Sequence, residues 1–335
     1  MKMKSAQNDM TVGNPMKIIL SFTFPIFLGN VFQQFYNMAD AVIVGKFVGN
    51  KALAAVGSTG TIMFLIYGFV VGMTAGFTVL TAQKFGAGDM EGMRKTVVGA
   101  GVLSFVIGTI LTILFMVFMK PLLILMNTPS DIFADSYVYI MIVSGGILAQ
   151  MLYNLLSSIL RALGNSKLPL YFLIISAILN IFGDLFFVIV LKAGSNGCAI
   201  STVLSEALCC LFCIIYIQKK VPILRLGKKW LVFDAGLLKK TIAYGWASAM
   251  QQATVQMGKI AIQALVNTMG VSVAAAFAVV NRIDDFAITP EQNIAHAMTA
   301  LMAQNKGAGK NDRMREGFRL SLIHISEPTR HAQIS

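Results

Sequence analysis

The chain has 335 residues and a formal net charge of +12 at pH 7, yet only 13% of its residues are charged and its mean hydropathy is +0.72. Soluble globular proteins average roughly 25% charged residues, so this composition excludes a protein whose main solvent is water.

Apolar runs long enough to cross a hydrocarbon core, which takes about 20 residues of helix, recur along the chain. Each run is expected to be helical, because backbone amides in lipid need internal hydrogen-bond partners. Pro25 and Pro290 are the expected kink sites, since proline removes one intrahelical hydrogen bond. The eight predicted spans are 18–44, 52–81, 96–119, 132–160, 168–191, 198–217, 241–269 and 271–302.

The positive charge alternates between successive loops. One set of termini and loops carries 20 Lys and Arg residues, whereas the alternate set carries only Lys46, Lys51, Lys120 and Lys192. Lys and Arg mark cytoplasmic loops, so the N-terminus is expected inside the cell and the first span is expected to act as the targeting signal. This distribution argues against nucleic acid as a partner.

One loop sequence occurs twice. "AQKFGAGDMEGMRK" at 82–95 returns as "AQNKGAGKNDRMRE" at 303–316, an offset of 303 − 82 = 221 residues. The same offset aligns Gly49 with Gly270 and Thr78 with Thr299. Six predicted spans separate the two copies, so both copies have the same orientation in the membrane. Parallel repeats of this kind are typical of transporters, although a channel or a membrane enzyme can also be duplicated.

Four further stretches carry a family resemblance: "NMADAVIVGKFVGNKALAAVG", "AQKFGAGDMEGMRK", "ILRALGNSKLP" and "GCAIST". In order and spacing they resemble the multidrug and toxic compound extrusion (MATE) family, in its prokaryotic DinF-like branch. The resemblance implies an all-α polytopic membrane protein with two lobes of six parallel-repeat helices each. It also implies export of organic cations or other amphiphiles in exchange for H⁺ or Na⁺.

The resemblance predicts twelve spans, of which eight are expected here. The expected division is an N-lobe at 1–220, an inter-lobe linker on the cytoplasmic side at 221–240, a partial C-lobe at 241–319 and a tail at 320–335. The tail begins "LSLIHISEPTR" at 320–330, which matches a translation of a common transposase library adapter. We therefore expect a non-native tail and a C-terminal truncation.

Ionisable residues inside the predicted spans are the candidates for chemistry, since they are costly in lipid. Asp40 lies near the outer end of the first span, and Asn180 and Asp184 share one face of the fifth. Thr202 and Glu206 descend from the outer end of the sixth span. Clustered carboxylates in a low-dielectric pocket cannot all stay ionised without a cation, so this cluster is expected to bind H⁺ or Na⁺.

The resemblance assigns the coupling cation to Asp40, Asn180, Asp184 and Thr202, which match the polar cluster of the family's N-lobe. At the 221-residue offset Asp40 aligns with Ala261, so coupling is predicted to reside in the first copy. Pro25 is a candidate bend whose straightening would shift the first helix. Secondary coupling or cavity candidates are Glu206, Gln34, Tyr36, Tyr139, Asn154, Arg282, Asp284 and Asp285.

The leading interpretation is a secondary active exporter of small amphiphilic or cationic substrates, working by alternating access in a prokaryotic cytoplasmic membrane. No cofactor is expected beyond the coupling ion, and the intact protein is expected to be monomeric. An enzyme is not expected, because no catalytic cluster lies near the cytoplasmic face. The alternatives are a lipid-linked saccharide flippase of the same superfamily and a non-functional truncated fragment.

Overall fold

A computed structural model describes residues 8–225, 234–269 and 271–320, and helices make up almost all of this part of the chain. The predicted tail beyond Leu320 and the linker residues 226–233 lie outside the described residues. The helices are α1 (Pro15–Ile43), α2 (Asn50–Gly86), α3 (Met90–Leu125), α4 (Ser130–Gly145), α5 (Ile147–Ala162), α6 (Lys167–Leu185), α7 (Gly194–Lys220), α8 (Ala235–Asn267) and α9 (Val271–Gly307). One turn of π-helix extends α1 (Val44–Val48) and another extends α6 (Phe186–Val190), a 3₁₀ turn follows α7 (Pro222–Leu224), and a further helical stretch covers 311–320.

The prediction of an all-α membrane protein is confirmed. Within the described residues, α1, α2, α3, α6 and α7 are long and apolar enough to cross a membrane. The bent pair α4 and α5 makes a sixth span if it is counted as one. The last two predicted spans are α8 and α9, helices of 33 and 37 residues. They are long enough to cross a membrane but less apolar than the other spans.

The predicted span 132–160 is broken, and the break lies at neither predicted kink site. Pro25 and Pro290 lie inside α1 and α9, each of which continues past its proline. Instead, α4 and α5 meet at 45° at Gly146. A Cβ atom at Gly146 would lie 2.6 Å from a methyl carbon of Val203 on α7. The bend therefore places a residue without a side chain next to Val203 of α7.

Helices of the two sequence repeats cross closely where α2 meets α8. A Cβ atom at Gly72 would lie 2.7 Å from the Ser248 carbonyl oxygen, and one at Gly76 would overlap the Tyr244 carbonyl. Gly245 of α8 in turn packs against the Phe77 ring. Only glycine permits backbones to approach this closely, so these positions fix the contact between the two helices.

The duplicated loop forms a second, reciprocal crossing. A side chain at Gly86 would overlap the Gln304 carbonyl, and a side chain at Gly307 would overlap the Gln83 carbonyl. The pairs are related by the sequence offset, since 83 + 221 = 304 and 86 + 221 = 307. The two copies of the repeat thus meet at equivalent points of α2 and α9, which we call the glycine crossing (Gln83, Gly86, Gln304 and Gly307).

A different pair of glycines makes the turns of the duplicated loop. Gly88 and Gly309 have φ of +73° and +69° and are also 221 residues apart. This left-handed conformation is unfavourable for residues with a side chain, so these glycines close the turns after α2 and α9. The structure thus divides the loop glycines between the turns and the glycine crossing.

Asp89 caps the start of α3 at the same loop. Its Oδ1 accepts from the Gly92 amide at 2.8 Å, and its Oδ2 accepts from Lys84 Nζ at 2.8 Å. These contacts, the Lys84 hydrogen bond first, hold the pKa of Asp89 below its usual value. The side chains are about a third exposed, so the ion pair adds little and the helix cap is the larger contribution.

A non-helical segment at 8–13, which we call the strap, joins helices of both repeats. The Asn8 backbone amide donates to the Leu163 carbonyl at 3.1 Å, and the Met10 backbone amide donates to Gln304 Oε1 at 2.9 Å. Gln304 Nε2 also donates to the Ala162 carbonyl at 2.8 Å. Further bonds to the strap come from Asn305, Lys310 and Arg313.

The strap, the glycine crossing and the turn at 163–166 lie at one end of the bundle, which we call the basic end because its loops carry most of the Lys and Arg residues. Met10 is buried there against Ile19, Phe22 and Leu301. Toward the other end, no described side chain from Thr254 to Leu265 of α8 is buried. Helices of the two repeats therefore pack together through their basic-end halves.

Candidate functional site

Two carboxylates on different helices lie side by side near the end of the bundle opposite the basic end. Asp40 lies in the last turn of α1 and Asp184 in the last turn of α6, and their carboxyl groups interact directly. Asp184 is fully buried, whereas Asp40 is half-buried. Each residue comes shortly before a turn of π-helix, a distortion that is frequent at functional sites.

A small apolar cluster covers this pair toward the end opposite the basic end. Val44 and Val188, from the two π-helical turns, pack there with Ile43, Ala52 and Cys198. On α1 and α6 these residues follow the acids in the chain, and Cys198 precedes Thr202 on the returning helix α7. The acidic pair therefore has apolar side chains on that side.

Asn180 and Thr202 complete the polar group around the acids. The Asn180 amide nitrogen donates to the Thr202 hydroxyl at 3.2 Å, which directs the other amide atom, Oδ1, away from Thr202. Asn180 is 2% exposed. Because it lies one helical turn before Asp184, both side chains leave α6 on the same face.

Close packing of α6 against α7 holds this arrangement in place. A side chain at Gly183 would overlap the Ser201 hydroxyl, so the two helices touch at the level of Asp184. Ser201 lies beside Asp184, but its hydroxyl donates to the Asn180 backbone carbonyl at 2.8 Å. The hydroxyl proton of Ser201 is therefore used in the hydrogen bond between α7 and α6 and not in one to the Asp184 carboxylate.

The site has an excess of hydrogen-bond acceptors. Four buried oxygens have no hydrogen-bond partner among the described residues: Asp40 Oδ1, Asn180 Oδ1, Asp184 Oδ1 and Asp184 Oδ2. Buried polar atoms without a partner cost free energy and are rare in folded proteins. A cation is what this set lacks, since every one of these atoms accepts and none donates.

The ligand types distinguish between classes of cation. Carboxylate and amide oxygens are ligands for hard cations, and a proton shared between two carboxyl groups satisfies the same need. In the described part of the chain, no group of three or more His, Cys, Asp or Glu side chains has the arrangement of a metal site. The residues present therefore fit a proton or a Na⁺ held partly by the Asn180 amide oxygen.

The secondary candidates differ in how close they lie to the acidic pair. Tyr139 lies within electrostatic range of both acids, and Tyr36 lies within electrostatic range of Asp40 and Glu206. Gln34 is exposed, and Asn154 is buried but donates to the Gln150 backbone carbonyl of its own helix at 2.9 Å. Asn154 is therefore accounted for by a structural hydrogen bond.

Three candidates cannot be placed relative to the site. The backbone at Arg282, Asp284 and Asp285 belongs to α9, but their side chains lie outside the described residues.

Sequence reasoning missed several polar residues near the site. Gln33, rather than its neighbour Gln34, faces inward and donates to the Tyr67 hydroxyl at 3.0 Å. Ser201 and Cys198 lie beside Asp184. The signal for Ser201 and Cys198 was their position on α7, since Cys198 lies one helical turn before Thr202 and Ser201 is adjacent to it.

Comparison with known proteins agrees with this architecture. The MatE family profile matches residues 25–186 and 247–325. "Probable multidrug resistance protein YpnP" of Bacillus subtilis (strain 168) is 32% identical over 321 residues, which are 91% of this chain and 68% of that protein. "Probable multidrug resistance protein YoeA" of the same strain is 29% identical, over 90% of this chain and 66% of that protein.

Solved structures share the fold. The structure described as "Outward-facing conformation of a multidrug resistance MATE family transporter of the MOP superfamily" superimposes with a TM-score of 0.89 at 24% sequence identity. That alignment covers 97% of this chain and 71% of the other. This chain thus spans about two thirds of the length of the curated relatives YpnP and YoeA. On the family match and on the similarity to YpnP, the chain is a multi-pass membrane protein of the MatE family.

Proposed function

We propose that the complete gene product exports small amphiphilic or cationic molecules from the cell in exchange for H⁺ or Na⁺. The observation that carries the proposal is the set of four unpartnered buried oxygens on Asp40, Asn180 and Asp184. The names of the relatives YpnP and YoeA, probable multidrug resistance proteins, support the choice of substrates. The coupling ion would bind at these oxygens, with Thr202 holding the Asn180 amide in place.

The charge distribution supports an orientation in the membrane. The basic end carries the loops that are rich in Lys and Arg, which supports a cytoplasmic position for this end and for the N-terminus. In this orientation the acidic pair would lie in the outer half of a cytoplasmic membrane. Cations from outside would reach it once the apolar cover formed by Val44 and Val188 moves.

The closed basic end supports alternating access between two lobes, the N-lobe comprising α1 to α7 and the C-lobe beginning with α8 and α9. Here the strap and the glycine crossing hold these helices together on the cytoplasmic side. In this mechanism the cation binds one arrangement of the lobes more tightly than the other and thereby shifts their populations. An inward-facing arrangement would require the glycine crossing to separate.

Gradient-driven transport tests this function. We expect proteoliposomes containing the full-length gene product to accumulate tetraphenylphosphonium, a lipophilic cation, when the lumen is more acidic or richer in Na⁺ than the medium. Liposomes without protein and protein-containing liposomes without a gradient are the controls, each with the membrane potential clamped. Accumulation that depends on neither gradient would contradict cation-coupled export.

A further inference from the structure

The side chain of Gln304 reaches from the second copy of the repeat into the first. It lies near the end of α9 and is 0% exposed. Its Oε1 accepts from the Met10 backbone amide of the strap at 2.9 Å, and its Nε2 donates to the Ala162 carbonyl at the end of α5 at 2.8 Å. One buried side chain therefore supplies both an acceptor and a donor to backbone groups of the first copy.

The strap is also held by basic side chains that follow α9. Lys310 Nζ donates to the Thr11 carbonyl at 2.8 Å, and Arg313 Nη1 donates to the Gly13 carbonyl at 2.8 Å. The Met10 side chain is 1% exposed and packs in the apolar cluster at this end. The strap thus binds the second copy through its backbone and through one buried side chain.

On its other side the strap lies against the turn that follows α5. Asn8 Nδ2 donates to the Gly164 carbonyl at 3.1 Å. Gly164 has a φ of +78°, and a side chain there would overlap the Asn8 carbonyl. Glycine is therefore needed at this turn both for its conformation and for the approach of the strap. The strap lies between this turn of the first copy and the end of α9 in the second.

The side chains that hold the strap are not a general property of the repeat. Gln304, Asn305, Lys310 and Arg313 correspond, 221 residues earlier, to Gln83, Lys84, Asp89 and Gly92. Of these four positions, only the glutamine is the same in both copies. In the first copy, Lys84 and Asp89 pair with each other instead. The loop of the second copy is therefore adapted to bind the strap.

Separation of the two copies at the basic end would withdraw Gln304 from the first copy. The Met10 amide and the Ala162 carbonyl would then lose these partners, and buried backbone groups need a replacement partner such as water. We propose that the strap and Gln304 together form a latch that holds the basic end closed and must release before that end can open. The latch rests on the alternating access of the proposed function.

Cysteine labelling of the purified full-length protein tests the latch without a gradient or a substrate. The reporter is Ala82→Cys, with the other cysteines replaced by alanine, because Ala82 is buried where α2 packs against Ala162 and Ala303. Labelling by a maleimide reports the population in which this contact is open. We expect Gln304→Leu to raise the labelling rate by at least about tenfold, because two buried hydrogen bonds are lost.

Gln218→Leu is the matched control, since Gln218 is exposed near the end of α7 and should not affect the rate. A second reporter is a protein that retains only Cys209, which is buried in the main core of the first copy. Gln304→Leu should leave the labelling of Cys209 unchanged. An equal rise at both reporters would overturn the latch, because the substitution would then have loosened the fold as a whole.

A second pair of variants tests the strap itself. Met10→Ala should also raise the labelling of Ala82→Cys, whereas Val12→Ala should not, because Val12 is 63% exposed. The combination of Met10→Ala with Gln304→Leu should raise the rate by less than the product of the two single effects, since both act on one latch.

Two further results would overturn the latch. One is a labelling rate in Gln304→Leu equal to that in Gln218→Leu, and the other is a strictly multiplicative effect of Met10→Ala and Gln304→Leu. If labelling follows the expectation while gradient-driven transport fails, the latch stands and the proposed export does not.

Discussion

Replacing Asp184 with Asn is expected to lower gradient-driven efflux by about 100-fold, the upper part of the range of coupling between two binding sites. Asp184 contributes two of the four unpartnered oxygens and is fully buried. The substitution removes the charge and introduces an N–H donor, which can satisfy Asp40 Oδ1 without any bound cation. The variant should therefore favour one arrangement of the helices regardless of the gradient. The measurement is uptake of tetraphenylphosphonium into proteoliposomes under an imposed H⁺ or Na⁺ gradient.

The fold should survive this substitution. The amide of the introduced Asn can donate a hydrogen bond to oxygens that otherwise have no partner. The thermal stability of the detergent-purified variant should therefore equal or exceed that of the wild type without a bound cation. Asp135→Asn is the matched control, because Asp135 is an exposed carboxylate on α4 outside the cluster. Normal transport by Asp184→Asn, or an equal loss in Asp135→Asn, would remove Asp184 from the coupling site.

Replacing Gly307 with Leu should open the basic end. A side chain at Gly307 would overlap the Gln83 carbonyl, and backbone cannot yield as a flexible side chain can. Overpacking of this kind costs roughly 1–3 kcal/mol, and here the cost falls on the arrangement in which α2 and α9 touch. We expect a lower thermal stability and faster labelling of a cysteine introduced at Thr11 in the strap, which is buried.

Gly60→Leu provides the matched control for this prediction. Gly60 lies on α2, the helix that carries Gly86, and a Cβ atom there would meet nothing within 4 Å. Its stability and labelling rate should remain close to those of the wild type. If Gly307→Leu behaves in the same way as Gly60→Leu, the glycine crossing does not hold the basic end closed.

The sequence identified the polar cluster because polar side chains are rare in the spans. Asp40, Asn180, Asp184 and Thr202 stand out in long apolar runs, and helical spacing places Asn180 and Asp184 on one face. The structure brings all four together. Their role as a cation site remains a prediction.

Interhelical contacts were much harder to predict. The repeat identified Gly86 and Gly307 but gave no indication that each meets a glutamine carbonyl of the other copy. The helix break lies at Gly146, where an added Cβ atom would meet Val203, whereas local preference pointed to Pro25 and Pro290. Such contacts arise from tertiary packing, which leaves no periodic signal in the local sequence.

The choice between neighbouring residues was a similar difficulty. Gln33 and Gln34 differ by about 100° around α1, and helices that are apolar on most sides carry little information about which face is inward. Only the contact with Tyr67 shows that Gln33 is the interior residue.

The most direct measurement of the central claim is the release of the coupling cation when substrate binds. Tetraphenylphosphonium added to the purified wild-type protein in weak buffer should release protons, detected with a pH dye, or displace bound ²²Na⁺. Asp184→Asn should release neither. If the wild type releases neither cation, or if Asp184→Asn releases as much as the wild type, the four oxygens on Asp40, Asn180 and Asp184 are not the coupling site.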